Sequence, residues 1–529
     1  MKDITVKYQD QLKVIASAII IGLFYPPMSS SYIVLFFLVP FICVLNKKDS
    51  NGIVNGFIFG FFISLSSSYW IMSNAGAPVW LRIVSGIGFF SFSGFYYAVM
   101  GGVFSLVKKA FPNKAIWFLP LVWGGMEHLM LYKEFAFPWT LLANAFTTKI
   151  EFIQISEYFG VIFVSMTLVL FSVLIYRISE NLRTSNKDKA QKASVIKFVS
   201  IHGLSLVVLF STVYLWGSSR YKYFSEKGKD LPVVKVAMIH AGLDIDYKWQ
   251  KSNFRKIVEG QYAQTDSVMI FKPDLVLWGE TNFPKYLENY PGSVKKFKKY
   301  SIDNDVDIST GALGFNYYED TEKIEKFNSV FFFSGDKEYT RYDKTMLVPF
   351  GEAFPYSNIL TFLKDISLGQ ANFDRGDNKE LFEMRSGNKF ITTICYEGIF
   401  PYYNARFVSM GAEFLTNVSN DAWYENTDEV YQHSRFNIFR SIENRRTTVR
   451  LANKAESSII YPSGKQEILF DNEGPFCKVI DVPVNSEQTF FTKNYKIIAG
   501  FIIGLNLMLI GWSIIIIKIR RKKYLTTER

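Results

Sequence analysis

Long apolar runs recur through the first 217 residues and then stop. They fall at roughly 13–29, 31–46, 52–73, 82–106, 114–131, 152–176 and 198–217, each near the length of a helix that crosses a bilayer. The first two meet at a turn carrying Pro26 and Pro27. No comparable run follows until Ile497–Ile517, which leads directly into a basic tail. The pattern predicts seven membrane helices, a long polar block and an eighth helix. The N-terminal run reads as a retained helix rather than a cleaved signal peptide, because further spans support it.

Between residues 232 and 485 the period changes. Short β-branched and aromatic runs at 233–239, 275–278, 307–313, 328–334, 389–395, 414–419 and 457–462 read as strands. Charged, helix-like stretches at 252–270, 292–301, 400–410 and 429–446 separate them. Such alternation predicts a layered α/β domain. Three segments result: a seven-helix membrane domain over 1–218, an extracytoplasmic α/β domain over 219–490, and a last helix with its tail over 491–529.

Composition alone would suggest a different reading. The 529 residues carry a net charge of +11, which raises the question of nucleic acid. Charge distributed along the chain answers it. The N-terminus, the alternate loops and the tail on one side of the spans hold twenty Lys and Arg, whereas the opposite short loops hold Arg82, Lys133 and Lys149 alone. That bias places both termini in the cytoplasm and the polar block outside it. Six acids offset the twenty bases, leaving +14 on the cytoplasmic side and −3 for the remainder. The basic balance is a topology signal, and nucleic-acid binding loses its support.

The cysteines Cys43, Cys395 and Cys477 have no CxxC spacing, and the four histidines lie far apart. No disulfide framework and no histidine-based metal site can be drawn from them. Gly-rich phosphate loops and a GxSxG elbow are absent from the sequence.

Three segments place a reactive side chain at the end of an apolar strand: Glu280 in LVLWGETNFP, Lys344 in RYDKTMLVPFGEAFP and Cys395 in ITTICYEGIFP. Strand ends are where α/β domains gather reactive groups from distant positions. An ammonium lowers a thiol's pKa, a carboxylate takes and returns its proton, and the same ammonium stabilises an oxyanion. Glu, Lys and Cys are therefore sufficient for acyl transfer through a thioester. Singly, each also has a plainer reading: a buried Cys in a core, a Lys or Glu at a solvated edge.

The longer wording narrows the choice. The three segments resemble the nitrilase (carbon–nitrogen hydrolase) superfamily, whose Glu-Lys-Cys triad sits in an αββα sandwich. LVLWGET, DKTMLVPFGEAFP, TTICYEGIFP and NVSNDAWY, with Gln432, His433, the RSIENRR segment and the eight-span frame, resemble the bacterial apolipoprotein N-acyltransferase family over essentially the whole chain. The resemblance implies an inner-membrane enzyme in which a phospholipid acylates the Cys and the acyl chain passes to the amine of a lipoprotein's diacylglyceryl-cysteine. It implies Glu280 as general base and acid, Lys344 as oxyanion stabiliser and Cys395 as nucleophile. Glu352, Tyr396 and Glu397 are implied as supporting residues, and Trp249, Asn328 and Trp423 as lining the substrate site. Neither metal nor other cofactor is implied.

Three positions depart from the family wording. Gly279 stands where Pro is common and Ala136 where Gly is usual. Ala455 replaces a Gly in an Asn-x-Gly turn, which raises the expectation of a strained left-handed residue near the pocket. The aromatic segment 354–363 is expected to form a lipid-facing lid, tested through Phe354, Leu360 and Phe362; a core segment is the plainer reading. A membrane-tethered amidase and a non-catalytic membrane scaffold are the competing functions.

Overall fold

The computed structural model describes residues 2–28, 31–184, 189–356, 372–378, 380–471 and 474–527. Helices Lys2–Leu23, Ile33–Asn46, Gly52–Ser67, Val79–Ala110, Leu119–Leu129, Ser156–Thr184, Lys189–Lys227 and Phe490–Thr527 occupy the eight apolar stretches. Among the described residues, Val79–Ala110, Ser156–Arg183, Ser194–Lys227 and Phe490–Lys523 are long and apolar enough to cross a membrane. Ile33–Asn46 and Gly52–Ser67 are apolar but span only 14 and 16 residues. The run at 114–131 divides into a 3-10 turn, Ala115–Phe118, and an 11-residue helix. Pro120 sits in the first turn of that helix, where its missing N–H does no harm. Lys189–Lys227 continues unbroken through position 218.

The α/β part holds thirteen strands among the described residues. They are β1 (Val233–His240), β2 (Leu275–Trp278), β3 (Phe283–Tyr286), β4 (Asp307–Tyr318), β5 (Lys323–Phe333), β6 (Thr340–Asp343) and β7 (Phe382–Glu383). There follow β8 (Lys389–Ile394), β9 (Phe414–Asn420), β10 (Thr447–Asn453), β11 (Ser457–Ile460), β12 (Gln466–Phe470) and β13 (Phe476–Pro483). One sheet runs β13-β1-β2-β4-β5-β6 with β3 beside β4; the other runs β12-β11-β10-β9-β8-β7.

Side-chain alternation explains how the sheets stack. Val234, Val236, Met238, Leu275, Leu277, Val330 and Phe332 face Phe390, Leu415, Val418, Val449 and Leu451 of the second sheet in one core. Their sequence neighbours Ala237, Ile239, Val276, Trp278, Phe331 and Phe333 face the other way, into a core with Tyr262 and Phe297. Those two side chains come from helices Phe254–Val268 and Pro291–Asp303. On the far side lie helices Pro401–Ser409 and Glu429–Asn444. β2, buried on both faces, reads as a continuous apolar run. The layers are α, β, β, α.

This sandwich rests on the membrane helices through its second helical layer. Tyr396, Ile399, Phe400, Phe436, Phe439 and Ile442 share one continuous core with Trp70, Trp123 and Trp139 of the helical part. The junction is also polar. Arg445 donates to Glu157, to Gln154 and to the carbonyl of Pro462, and Val161 N–H donates to Glu443 at 2.8 Å. Gln432 accepts from both Trp70 and Trp139 and donates to the carbonyls of Pro26 and Ser67. Every polar atom of the Gln432 amide is used, as burial demands.

Candidate active site

β2, β6 and β8 are each followed within two residues by one of the expected catalytic side chains. Glu280 follows β2, Lys344 follows β6 and Cys395 follows β8. Two of the turns are strained: Thr281 (φ 46°) and Cys395 (φ 51°) hold left-handed conformations that residues with a Cβ adopt at a cost. Close packing over-determines both. A Cβ on Gly311 of β4 would come within 2.8 Å of Gly279, Glu280 and Thr281 backbone atoms, so glycine there lets the Glu280 turn lie against the strand. A Cβ on Gly398 would meet Asn417 and Asn437 at 2.6–2.9 Å, so glycine lets the Cys395 turn sit on both.

Lys344 is fully buried, and its ammonium donates to Glu352 Oε1 at 2.7 Å. Burial opposes its charge, but the negative groups Glu352, Cys395 and Glu280 prevail and hold its pKa above the ordinary lysine range. Glu352 Oε2 accepts from Val348 N–H at 3.0 Å. Asn328 donates to Glu280 Oε1 at 2.7 Å and to Glu352 Oε1 at 3.5 Å, so it stands between the two carboxylates. Burial raises the Glu280 carboxyl, opposed by Lys344. Its Oε2 is buried without a hydrogen-bond partner among the described residues. Burial also pushes the Cys395 thiol up, Lys344 pulling it down and Glu280 and Asp421 adding to the rise. Glu280, Lys344, Glu352 and Cys395 thus form one electrostatic unit.

Glu397 connects the turns. Its Oε1 accepts from the Thr345 and Met346 N–H groups at 2.7 and 3.0 Å, and its Oε2 from Tyr342 O–H and Ile394 N–H at 2.6 and 2.8 Å. One carboxylate therefore fixes the residues after Lys344 to the residue before Cys395. Tyr396 is buried and donates to the carbonyl of Ala136 in the helical part at 2.8 Å. Ala136 meets Tyr396 through its backbone, so its side chain leaves this contact intact.

The expected substrate-site tryptophans lie in the short helices Ile245–Trp249 and Asp421–Tyr424. Trp249 ends the helix Ile245–Trp249 and is 40% exposed. Its neighbour Lys248 is buried and donates to the backbone carbonyl of Glu280 at 2.8 Å. Burial pushes the Lys248 pKa down to about 8, with Glu280 opposing. Sequence reading passed over Lys248, although it adjoins Trp249 in DYKWQ. Trp423 lies against the loop after residue 73: its carbonyl accepts from Ala75 N–H at 3.0 Å and its ring covers Gly76.

Residues the sequence reading did not single out complete the surroundings of Cys395. Asn417 donates to the Cys395 carbonyl at 3.0 Å, and Arg450 donates to Asn417 Oδ1 at 2.6 Å and to Asp421. Asn417 and Asp421 lie in the quoted NVSNDAWY motif and His433 in the QH pair, so the signal was present without a role attached.

One expectation changes, and another falls largely outside the described residues. The turn at 453–456 does contain a left-handed residue, but it is Lys454 (φ 59°), not Ala455. Ala455 is buried without such strain, and Lys454 is held by Asp244 and Glu425 at 2.7 and 3.5 Å. Of the proposed lid, Leu360 and Phe362 lie outside the described residues. Phe354 packs edge-on against Phe350, and Phe350 and Tyr356 both lie against Phe135 of the helical part.

Comparison with known proteins fits both parts of the chain. Residues 17–174 match the apolipoprotein N-acyltransferase N-terminal domain, and residues 223–472 match the carbon-nitrogen hydrolase family. An apolipoprotein N-acyltransferase of Geobacter metallireducens is 28% identical over 466 residues, 86% of each chain. One from Chlorobaculum tepidum is 27% identical over 75% of this chain and 76% of its own. Among solved structures, an amidase from Nesterenkonia sp. aligns with 47% of this chain and 90% of its own at 16% identity and a TM-score of 0.35. With both domains matched in order and relatives of one name matched over most of their length, the chain is an acyltransferase of the nitrilase superfamily and belongs to the apolipoprotein N-acyltransferase family.

Proposed function

We propose that this chain N-acylates the diacylglyceryl-cysteine terminus of lipoproteins in two half-reactions, with phospholipid as donor. The carrying observation is the buried Lys344–Glu352 pair, electrostatically coupled to both Glu280 and Cys395, on a domain whose core runs into apolar helices. In the first half-reaction Glu280 takes the Cys395 proton and the thiolate attacks the donor ester carbonyl. Lys344 stabilises the oxyanion, and the lysophospholipid alkoxide leaves with the proton from Glu280. In the second, the lipoprotein amine attacks the thioester, Glu280 takes its proton, and the Cys395 thiolate leaves. Glu352 keeps Lys344 charged and in place, while Glu397 and Tyr396 hold the turns. Trp249, Asn328 and Trp423 are proposed on the substrate side. No added cofactor enters this chemistry, because the donor ester already carries the acyl group in activated form.

The location follows the same reading. This is a bacterial inner-membrane protein, and the charge bias supports an extracytoplasmic α/β domain over 219–490 with both termini in the cytoplasm. Purified protein, phospholipid and a diacylglyceryl-cysteine peptide test the function together. The proposal requires N-acylated peptide that depends on Cys395. Free fatty acid in place of acylated peptide would identify a membrane-tethered hydrolase, and no turnover a scaffold.

A further inference from the structure

A second buried charge cluster lies beside Cys395, and the reaction as written does not use it. A Cys395 sulfur, an Asp421 carboxylate oxygen and a His433 ring nitrogen lie within 4.8 Å of one another. His433 Nδ1 is 3.1 Å from Asp421 Oδ1 and 3.2 Å from Glu429 Oε1, so a single N–H faces two carboxyl groups. The other nitrogen, Nε2, is buried with no partner among the described residues. Asp421 also receives the Arg450 guanidinium and the hydroxyl of Ser419. Asp421, Glu429, His433 and Arg450 are all buried.

Charge counting gives His433 a task. Two buried carboxyl groups face one buried guanidinium, and an isolated buried negative charge is strongly disfavoured. Burial and Asp421 push the Glu429 carboxyl up to about 7, so one proton stays within the Glu429–His433 pair, and with it on His433 the set balances. The groups facing it are Asp421 from the turn after β9, Glu429 from its own helix, Arg450 from β10 and Cys395 from the turn after β8. Burial and Arg450 oppose that proton; Asp421 and Glu429 favour it and prevail in direction. Asp421, held well down at about 2 by Arg450 and His433 against its burial, stays ionised.

We infer that His433 is a positioning residue for Cys395: as an imidazolium held by Asp421 and Glu429, it offsets the negative charge of Asp421 and stabilises the Cys395 thiolate. The thiolate exists twice in the cycle, as attacking group and as the group expelled by the amine, so both half-reactions benefit. No extra proton is consumed, because His433 keeps its own throughout. The inference rests on Cys395 as the nucleophile and goes beyond that reading by naming what balances the charge around it.

The test is the pH dependence of Cys395 alkylation by iodoacetamide in full-length protein, read by mass spectrometry. Replacing the imidazolium with a neutral amide in His433→Gln removes a positive charge beside the thiolate. Half-maximal alkylation should move to higher pH by about one unit, roughly a tenfold loss at fixed pH on the acid side. An unchanged profile in a folded His433→Gln protein overturns the inference. Should that variant not fold, Glu429→Gln decides by sign. Removing a negative charge directly would ease thiolate formation and lower the onset; losing the imidazolium that Glu429 supports would raise it. A raised onset supports the inference, and a lowered or unmoved one overturns it. Alkylation needs neither substrate, so wild-type protein that alkylates normally but never forms an acyl-enzyme would defeat the proposed function and leave this result standing.

Discussion

Tyr396 and Ala136 are 260 positions apart in sequence, yet the phenol of one donates to the carbonyl of the other at 2.8 Å. That bond joins the turn carrying Cys395 to the helical part of the chain. Substituting Tyr396→Phe removes one buried hydrogen bond and leaves the Ala136 carbonyl unsatisfied, a loss of about 1–3 kcal/mol. Acyl-enzyme formation should slow more than thermal stability falls. The check is a rate of lysophospholipid release beside a melting curve; a slower rate with no greater effect than a remote buried Tyr→Phe change would count against the link.

Glu397 accepts four hydrogen bonds that join the Lys344 and Cys395 turns. Glu397→Gln turns an NH2 group toward donors, so at least one N–H or O–H loses its acceptor. Stability should drop by about 2–3 kcal/mol, and Cys395 should alkylate at a rate closer to that of an unstructured thiol. Paired measurements of melting and alkylation read both effects.

Breaking the buried Lys344–Glu352 pair from one side strands a charge. Lys344→Met alone should cost about 3–5 kcal/mol. Adding Glu352→Gln to it should recover part of that loss, while activity stays absent in both. Thermal unfolding of the single and double variants distinguishes the buried pair from two independent side chains, which would give additive losses.

The acid limb of acylation should report Glu280. Burial raises its pKa, so the carboxylate needed as base forms at higher pH than the ordinary value of about 4.3 for Glu. Acylation should therefore fade as pH drops through that raised value. Asn328 donates to the ionised form at 2.7 Å, so Asn328→Ala should move the limb still higher. A limb that stays in place, or moves down, contradicts the role given to Glu280.

How much of this was legible beforehand depended on whether burial followed hydrophobicity. β2 is apolar on both faces, β1, β8 and β9 contain β-branched and apolar runs, and all four read directly from sequence. β10 did not: Thr447–Asn453 has Arg450 in its middle, and only the Asp421 and Asn417 partners make a buried arginine tolerable there. β6 and β7 have four and two residues, too few for a period to register. The residues with reactive side chains were legible because they end apolar strands. Lys248 was not, and His433 was marked by the QH pair without a role, since each draws its meaning from partners brought in by other elements. The strain at 454 was placed one residue late for a similar reason: the residue-type pattern marked the turn, but backbone geometry put Lys454 in the left-handed position.

On the proposed mechanism Cys395 carries the acyl group between two lipid substrates. Intact-protein mass spectrometry after incubation with phospholipid is the direct test. A fatty-acyl adduct is expected on Cys395, absent in Cys395→Ala, that disappears when a diacylglyceryl-cysteine peptide is added as N-acylated peptide appears. Acylated peptide formed by the Cys395→Ala protein, or a wild-type protein that acylates peptide after its Cys395 has been fully alkylated, would contradict it.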